Sequence, residues 1–176
     1  MIRIEELGEA GLDRMGEIDR SEEVTYQYLF REGALHRERI DAQVPTWTPE
    51  TIEKNRHMLL PILRKGGHCL GALAGDRLAG MAVLGGEWLG EEQDQLQMAF
   101  LYVSREYRRQ GVARKLMDEI CRLAREKQAN QLYISATETD SALGFYFAYG
   151  CRLAPEVDKR LYALEPLDIH LVKDLK

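Results

Sequence analysis

Leu101-Tyr102-Val103-Ser104-Arg105-Glu106-Tyr107-Arg108-Arg109-Gln110-Gly111-Val112-Ala113-Arg114-Lys115 reads as a buried strand, a short basic loop and the start of a helix. Upstream, Gln95 and Gln97 alternate with Leu96 and Met98, and the pattern turns continuously apolar from Ala99 to Val103. A strand half exposed at its start and buried at its end has this pattern. Downstream, Val112, Leu116, Ile120 and Leu123 recur at spacings of four, four and three, which predicts an amphipathic helix from Gly111 to about Gln128. The first turn of a helix leaves about four backbone N–H groups without intrahelical partners, and its dipole adds roughly half a positive charge. Gly111 has no Cβ and lets a ligand approach the backbone, and Ala113 is nearly as small. Residues 105–115 hold five basic side chains against one acid. Such a helix start suits a phosphate or diphosphate. It is neither a Walker loop nor a Rossmann fingerprint, because G-x-x-x-x-G-K-[ST] and the three-glycine pattern are both missing.

Working outward, Ile2 and Ile4 against Arg3 and Glu5 predict a short edge strand. Gly8 to Ile40 reads as interrupted helix, punctuated by Gly11, Gly16 and Gly33. Thr48-Pro49-Glu50-Thr51 looks like a helix start, with an end near Arg64 before Gly66-Gly67 and a kink at Pro61. His68–Ala74 and Leu78–Leu84 predict a hairpin about Gly75-Asp76-Arg77, closed by a break at Gly85-Gly86. After the long helix come a strand over Gln131–Ala136, a helix over Ser141–Tyr149 capped by Thr139 or Asp140 and closed by Gly150, and strands at Arg160–Leu164 and Asp168–Val172. No linker or repeat interrupts this, which predicts one domain over residues 1–176.

The 176 residues carry 24 Lys+Arg against 29 Asp+Glu, a net charge of -5, which argues against nucleic acid and anionic membrane as partners. No apolar run approaches the roughly 20 residues that span a bilayer. MIRIEELGEA, with three Glu and no apolar run, predicts no secretory signal and hence a cytoplasmic location. Cys69, Cys121 and Cys151 are odd in number and far apart, as expected of reduced buried thiols, and the four scattered histidines predict no metal.

Arg108-x-x-Gly111-x-Ala113, after an apolar strand and opening a helix, resembles the [QR]-x-x-G-x-[GA] acetyl-coenzyme A motif of the GNAT superfamily of N-acetyltransferases. Thr139-Asp140-Ser141-Ala142-Leu143-Gly144-Phe145-Tyr146-Phe147-Ala148-Tyr149-Gly150-Cys151 is similar to that family's N-x-x-A-x-x-x-Y-x-x-x-G-F helix, with Thr139 where Asn is usual and Cys151 where Phe is usual. The resemblance covers roughly residues 68–164. It implies an α+β fold: a mixed, mostly antiparallel sheet of about seven strands, helices on both faces, and a parallel strand pair (Gln95–Val103 and Gln131–Ala136) that splays apart.

The resemblance also implies acetyl-CoA as cosubstrate and a primary amine, of a small molecule or peptide, as acceptor, attacked directly in a ternary complex. The pantetheine arm would meet main-chain groups of Leu101, Tyr102 and Val103, and the Leu101 amide would polarise the thioester carbonyl. Arg108, Thr139 and Tyr146 would join the cofactor site, and the diphosphate would lie on the amides of Arg109, Gln110, Gly111, Val112, Ala113 and Arg114. Tyr146 matches the acid that protonates the departing thiolate. Glu138, just after a buried strand, could take the amine's proton through water, and the acidic stretch Glu87, Glu91, Glu92 and Asp94 could attract a cationic acceptor. Tyr26, Tyr28 and Trp47 would line an acceptor wall built from the first two helices, and a homodimer is common in the family. Two other classes remain open: a non-catalytic acyl-CoA-binding sensor or interaction module, and a nucleic-acid binder using the 105–115 patch.

Overall fold

The computed structural model describes residues 1–176. In chain order the elements are β1 (Ile2–Glu6), α1 (Ala10–Asp13), β2 (Glu22–Arg31), β3 (Ala34–Val44), α2 (Pro49–Arg64), β4 (His68–Ala74) and β5 (Arg77–Leu89). They continue as β6 (Gln95–Val103), α3 (Val112–Glu126), β7 (Gln131–Ala136), α4 (Asp140–Ala148), β8 (Arg152–Leu153), α5 (Lys159–Leu164) and β9 (Ile169–Asp174). Seven strands form one sheet in the order β1-β4-β5-β6-β7-β9-β8, and β2 and β3 pair as a separate hairpin. The fold is the mixed α+β arrangement expected: every sheet neighbour is antiparallel except β6 and β7.

Helices cover both faces. α3 and α4 bury Val112, Leu116, Ile120, Leu143 and Tyr146 against Leu96, Met98, Ile134 and Leu171 of the sheet. The opposite face carries two separate clusters, one joining Leu12, Leu59 and Leu63 to Met81, Val83 and Phe100, the other joining Leu161 of α5 to Leu89, Tyr133 and Val172. No contiguous core bridges those two, so this face is divided above the centre of the sheet.

The structure corrects the sequence reading in four places. Residues 8–40 are helical only at α1 and a 3-10 turn over Met15–Glu17; an irregular segment follows, and from Glu22 onward they form the β2–β3 hairpin. Val24, Thr25, Tyr26, Tyr28 and Phe30 favour a strand, and Glu32-Gly33, with φ of 51° and 78°, is a two-residue hairpin turn rather than helix punctuation. Arg160–Leu164 lies in helix α5, not a strand, because Asp158 caps it by accepting from the Leu161 amide at 2.9 Å. β8 is too short to leave a pattern. Finally, Gly85-Gly86 is no break: β5 continues to Leu89, and a Cβ on Gly86 would clash with the Lys65 carbonyl oxygen.

The remaining elements stand as read, with α2 running through Pro61 behind a Thr48–Thr51 capping box. Gly86→Ala should force backbone apart where α2 meets β5. The expected outcome is a loss of about 1–3 kcal/mol in urea unfolding with an unchanged m-value.

Candidate active site

The parallel pairing of β6 with β7 runs from Gln95↔Gln131 to Met98↔Ile134 and stops. At that point β6 bulges: Leu84 pairs with Met98 and Val83 with Phe100, leaving Ala99 as the extra residue. A bulge bends its strand, and β6 leaves β7 while staying paired with β5 to Val103. The Ser104 amide donates to the Ala79 carbonyl at 2.8 Å, so alternation turns the main chains of Ser104 and Tyr102 toward β5. Those of Leu101 and Val103 then face the gap. Of the three expected main chains, that of Leu101 and the N–H of Val103 are therefore open to a ligand, and Tyr102 is the exception.

Arg108 holds the end of this strand. Its guanidinium donates to the carbonyls of Val103 (3.1 Å), Ser21 (3.1 Å) and Asp19 (3.5 Å). It thus ties β6 to the segment before β2, and its charge is spent on carbonyl oxygens. Beyond it the chain reverses through Arg109 (φ 59°) and Gly111 (φ 78°) into α3. The first amide of this turn to find a carbonyl is that of Lys115, which donates to Gly111. The amides of Arg109, Gln110, Gly111, Val112, Ala113 and Arg114 make no hydrogen bond within the chain. A Cβ on Gly111 would meet nothing within 4 Å, so the space over these amides is open. Alternating left- and right-handed residues before a helix form an anion-binding concavity.

Tyr146, on α4, is only 7% exposed, and its hydroxyl makes no hydrogen bond within the chain. Burial pushes its phenol well above the usual range, with Cys151, Tyr102 and Asp168 adding to the effect, so the group stays protonated. Thr139 acts as the α4 N-cap, its hydroxyl accepting from the Ala142 amide at 3.3 Å. Glu138 is half-buried beyond β7, and its carbonyl accepts from the Tyr28 amide at 2.7 Å.

Tyr26 and Tyr28 reach this region from a strand, not a helix, and the Arg37 guanidinium lies 3.6 Å over the Tyr26 ring while pairing with Asp140 at 2.6 Å. Trp47 is buried against Phe100 and Tyr102. The acidic stretch sits at the other end of β6, across the end of β5 and the β5–β6 turn, where Glu87 pairs with Lys65 and Asp94 accepts from Asn130. It does not join the site.

Sequence reasoning missed Asp168, directly before β9. Its carboxylate accepts from the Ser135 hydroxyl at 2.9 Å, and burial raises its pKa to about 6, helped by the charges of Glu165 and Glu138. Its signal was hidden because contact with Ser135 depends on β9 pairing beside β7. The three cysteines are buried and free, and burial pushes Cys69 and Cys151 up to about 12, which removes them as nucleophiles. No group of His, Cys, Asp and Glu is gathered as metal ligands, and no helix is long and apolar enough to cross a membrane.

Residues 33–150 match the family described as Acetyltransferase (GNAT) family. No curated protein matches the chain in sequence. Among solved structures, nourseothricin acetyltransferase superposes with a TM-score of 0.74 at 19% identity, covering 99% of both chains. A Bacillus anthracis protein named as a streptothricin acetyltransferase, in complex with acetyl coenzyme A, gives 0.66 at 20% identity over 99% of this chain and 97% of its own. PaiA N-acetyltransferase from Thermoplasma acidophilum, in complex with coenzyme A, gives 0.63 at 18% identity over 99% of both chains. At these identities the likeness is one of fold.

Two outcomes follow from the geometry. Arg108→Ala leaves three carbonyls without their charged donor, and urea unfolding should show a loss of about 1.5–3 kcal/mol. Asp168 has a folded pKa of about 6 against an ordinary 3.8, so its protonated form is the favoured one. The stability it contributes is complete below the lower value and is lost as pH rises through the upper one. Asp168→Asn should therefore gain thermal midpoint relative to wild type between pH 4.5 and 7.5 in parallel melting curves.

Proposed function

The chain belongs to the acetyltransferase (GNAT) family, and on that footing we propose that it moves the acetyl group of acetyl coenzyme A to a primary amine by direct attack in a ternary complex. The observation that carries the reading is the continuous run of unpartnered amides from Arg109 to Arg114 beside the unpaired edge of β6. Six amide donors at a helix start fit a diphosphate, and an open strand edge fits an extended amide-containing arm. A thioester supplies an activated acetyl group.

The chain's own residues supply the rest. The amides of 109–114 bind the diphosphate, with Gly111 leaving room for it. Main-chain groups of Leu101 and Val103 orient the pantetheine arm, and the Leu101 N–H stands where charge develops on the carbonyl oxygen. One preorganised donor of this kind is worth roughly 100- to 1000-fold in rate. Tyr146, kept protonated by burial, gives its hydroxyl proton to the departing sulfur. Arg108 acts at one remove by fixing the carboxyl end of β6.

Calorimetry with coenzyme A and thiol release from acetyl coenzyme A across an amine panel test the reading. Tyr146→Phe should lower kcat roughly 100-fold with coenzyme A affinity unchanged. Gly111→Val should weaken coenzyme A binding about tenfold or more, since its side chain enters the anion site and its φ of 78° disfavours a β-branched residue. Normal turnover by Tyr146→Phe would remove the acid role, and absence of coenzyme A binding by the wild type would overturn the function.

A further inference from the structure

Where the sheet face is divided, a cavity of about 330 Å³ lies between the end of β2 and the segment joining β8 to β9. Its walls are mostly apolar, with Leu29 and Phe30 of β2 facing Val157, Tyr162 and Leu167. Phe30, Tyr162 and Leu167 are each more than half exposed, although large apolar side chains normally seek cover. Three charged or polar groups interrupt this lining: Asp168 and His170, two residues apart at the start of β9, and Arg31 at the end of β2.

His170 is 6% exposed, and its Nε2 has no hydrogen-bond partner. Its protonation follows from its neighbours. The Asp158 amide donates to the Tyr133 hydroxyl oxygen at 2.8 Å, so the hydroxyl's own hydrogen is free to go to His170 Nδ1, 2.7 Å away. Burial lowers the His170 pKa and keeps the ring neutral. A neutral ring that accepts at Nδ1 carries its hydrogen on Nε2. The cavity wall thus contains a buried N–H donor awaiting an acceptor, which disfavours leaving it unmet. Asp168, two residues away, accepts at 2.9 Å from the hydroxyl of Ser135, the first β7 residue beyond the β6–β7 pairing, which places the cavity beside the acetyl-transfer gap.

We propose that this cavity is the acceptor site and takes a primary amine on an apolar body bearing a hydrogen-bond acceptor, with Asp168 removing the ammonium proton and His170 Nε2–H binding the acceptor group. This rests on the acetyltransferase reading above. Asp168 accepts one proton of the ammonium and passes it to water. As the carbon–nitrogen bond forms and the carbon–sulfur bond breaks, Tyr146 gives its proton to sulfur and recovers one from nitrogen. The products are an acetamide, a free thiol and one released proton. Glu138 adds negative charge beside Asp168 rather than acting alone. The titratable groups around Asp168 are Glu138 after β7, Glu165 after α5, Tyr146 on α4, Tyr162 on α5, His170 on β9 and Arg31 at the end of β2.

The test uses the full chain, acetyl coenzyme A, and phenylalaninamide or spermidine as acceptor, read by thiol release. Phenylalaninamide should exceed spermidine by about tenfold or more in kcat/KM; equal or better use of spermidine overturns the substrate class. Asp168→Asn should lower kcat roughly 100-fold near neutral pH and abolish the acid limb of the pH profile, with Asp168→Glu restoring part of both. Asp168→Asn turnover within about threefold of wild type, with the limb intact, overturns the proton role. Val157→Trp, a change at an exposed rim position, should raise KM for phenylalaninamide about tenfold with coenzyme A affinity unaltered; an unchanged KM overturns the location. Calorimetry with coenzyme A separates the two levels. Intact coenzyme A binding and acetyl transfer with these failures removes only the acceptor site, whereas a wild type that binds no coenzyme A removes the acetyltransferase reading as well.

Discussion

Where Ala99 bulges out of β6, the strand keeps its antiparallel partner and loses its parallel one, and the main chain at Leu101 and Val103 is left without a sheet neighbour on one side. A main-chain group shut away from both water and partner costs free energy comparable to a lost hydrogen bond, so a strand seldom parts from its neighbour in the middle of a sheet without an occupant. Arg108 answers part of that demand at Val103 and at the same time fastens the strand to residues 19–21. The Leu101 main chain remains available. The loop that follows starts from this latch and enters α3 with the six amides of residues 109–114 unpartnered.

Charge serves the same arrangement. The chain is acidic overall, yet its basic cluster is concentrated in the residues that lead into α3. Part of that cluster is structural: Arg108 faces carbonyls, Arg105 sits in the turn after β6, and Arg114 lies 5.3 Å from the Tyr149 ring. Backbone dipoles, rather than side-chain cations, are therefore the fixed positive element at the start of α3, where the diphosphate is proposed to bind. They are oriented by the fold before a ligand arrives and need no reorganisation when it binds.

Elements with a one-sided apolar period were legible in the sequence, because their residues are patterned by a single sheet face. α3 and the first half of β6 are of this kind, β7 was readable as a short run buried on both faces, and the loop between β6 and α3 was readable from Gly111 and the charges around it. The β2–β3 hairpin was not. It is largely exposed on both sides, so no alternating burial marks it, and only the Glu32-Gly33 turn and the aromatic content betray it. α5 failed for the same reason, since Leu161 is its only buried residue and one point defines no period. Within the site, Tyr146 and the 109–114 amides follow from local sequence. The roles of Arg108 and Thr139 do not: a motif residue looks the same in sequence whether its side chain meets a ligand, a carbonyl or a helix cap. Asp168 was invisible because its neighbours come from β7, α4 and α5.

Asp168 and His170 also illustrate how one environment acts with opposite sign on an acid and a base. Burial beside the same apolar wall raises the carboxylic acid and lowers the imidazole, because in each case it disfavours the charged form. Both groups are therefore drawn toward neutrality near pH 6, with the carboxylate the first to ionise within the neutral range. A bound ammonium would reverse the shift on Asp168 through direct attraction and would leave His170 neutral, so an amine itself selects the carboxylate form that can deprotonate it. The apolar lining thereby does two things at once: it accommodates the body of an acceptor, and it keeps the proton-accepting group weakly committed until a cation is present. A water-filled polar pocket with the same two side chains would hold the aspartate permanently ionised and the histidine close to half protonated, and neither property would survive.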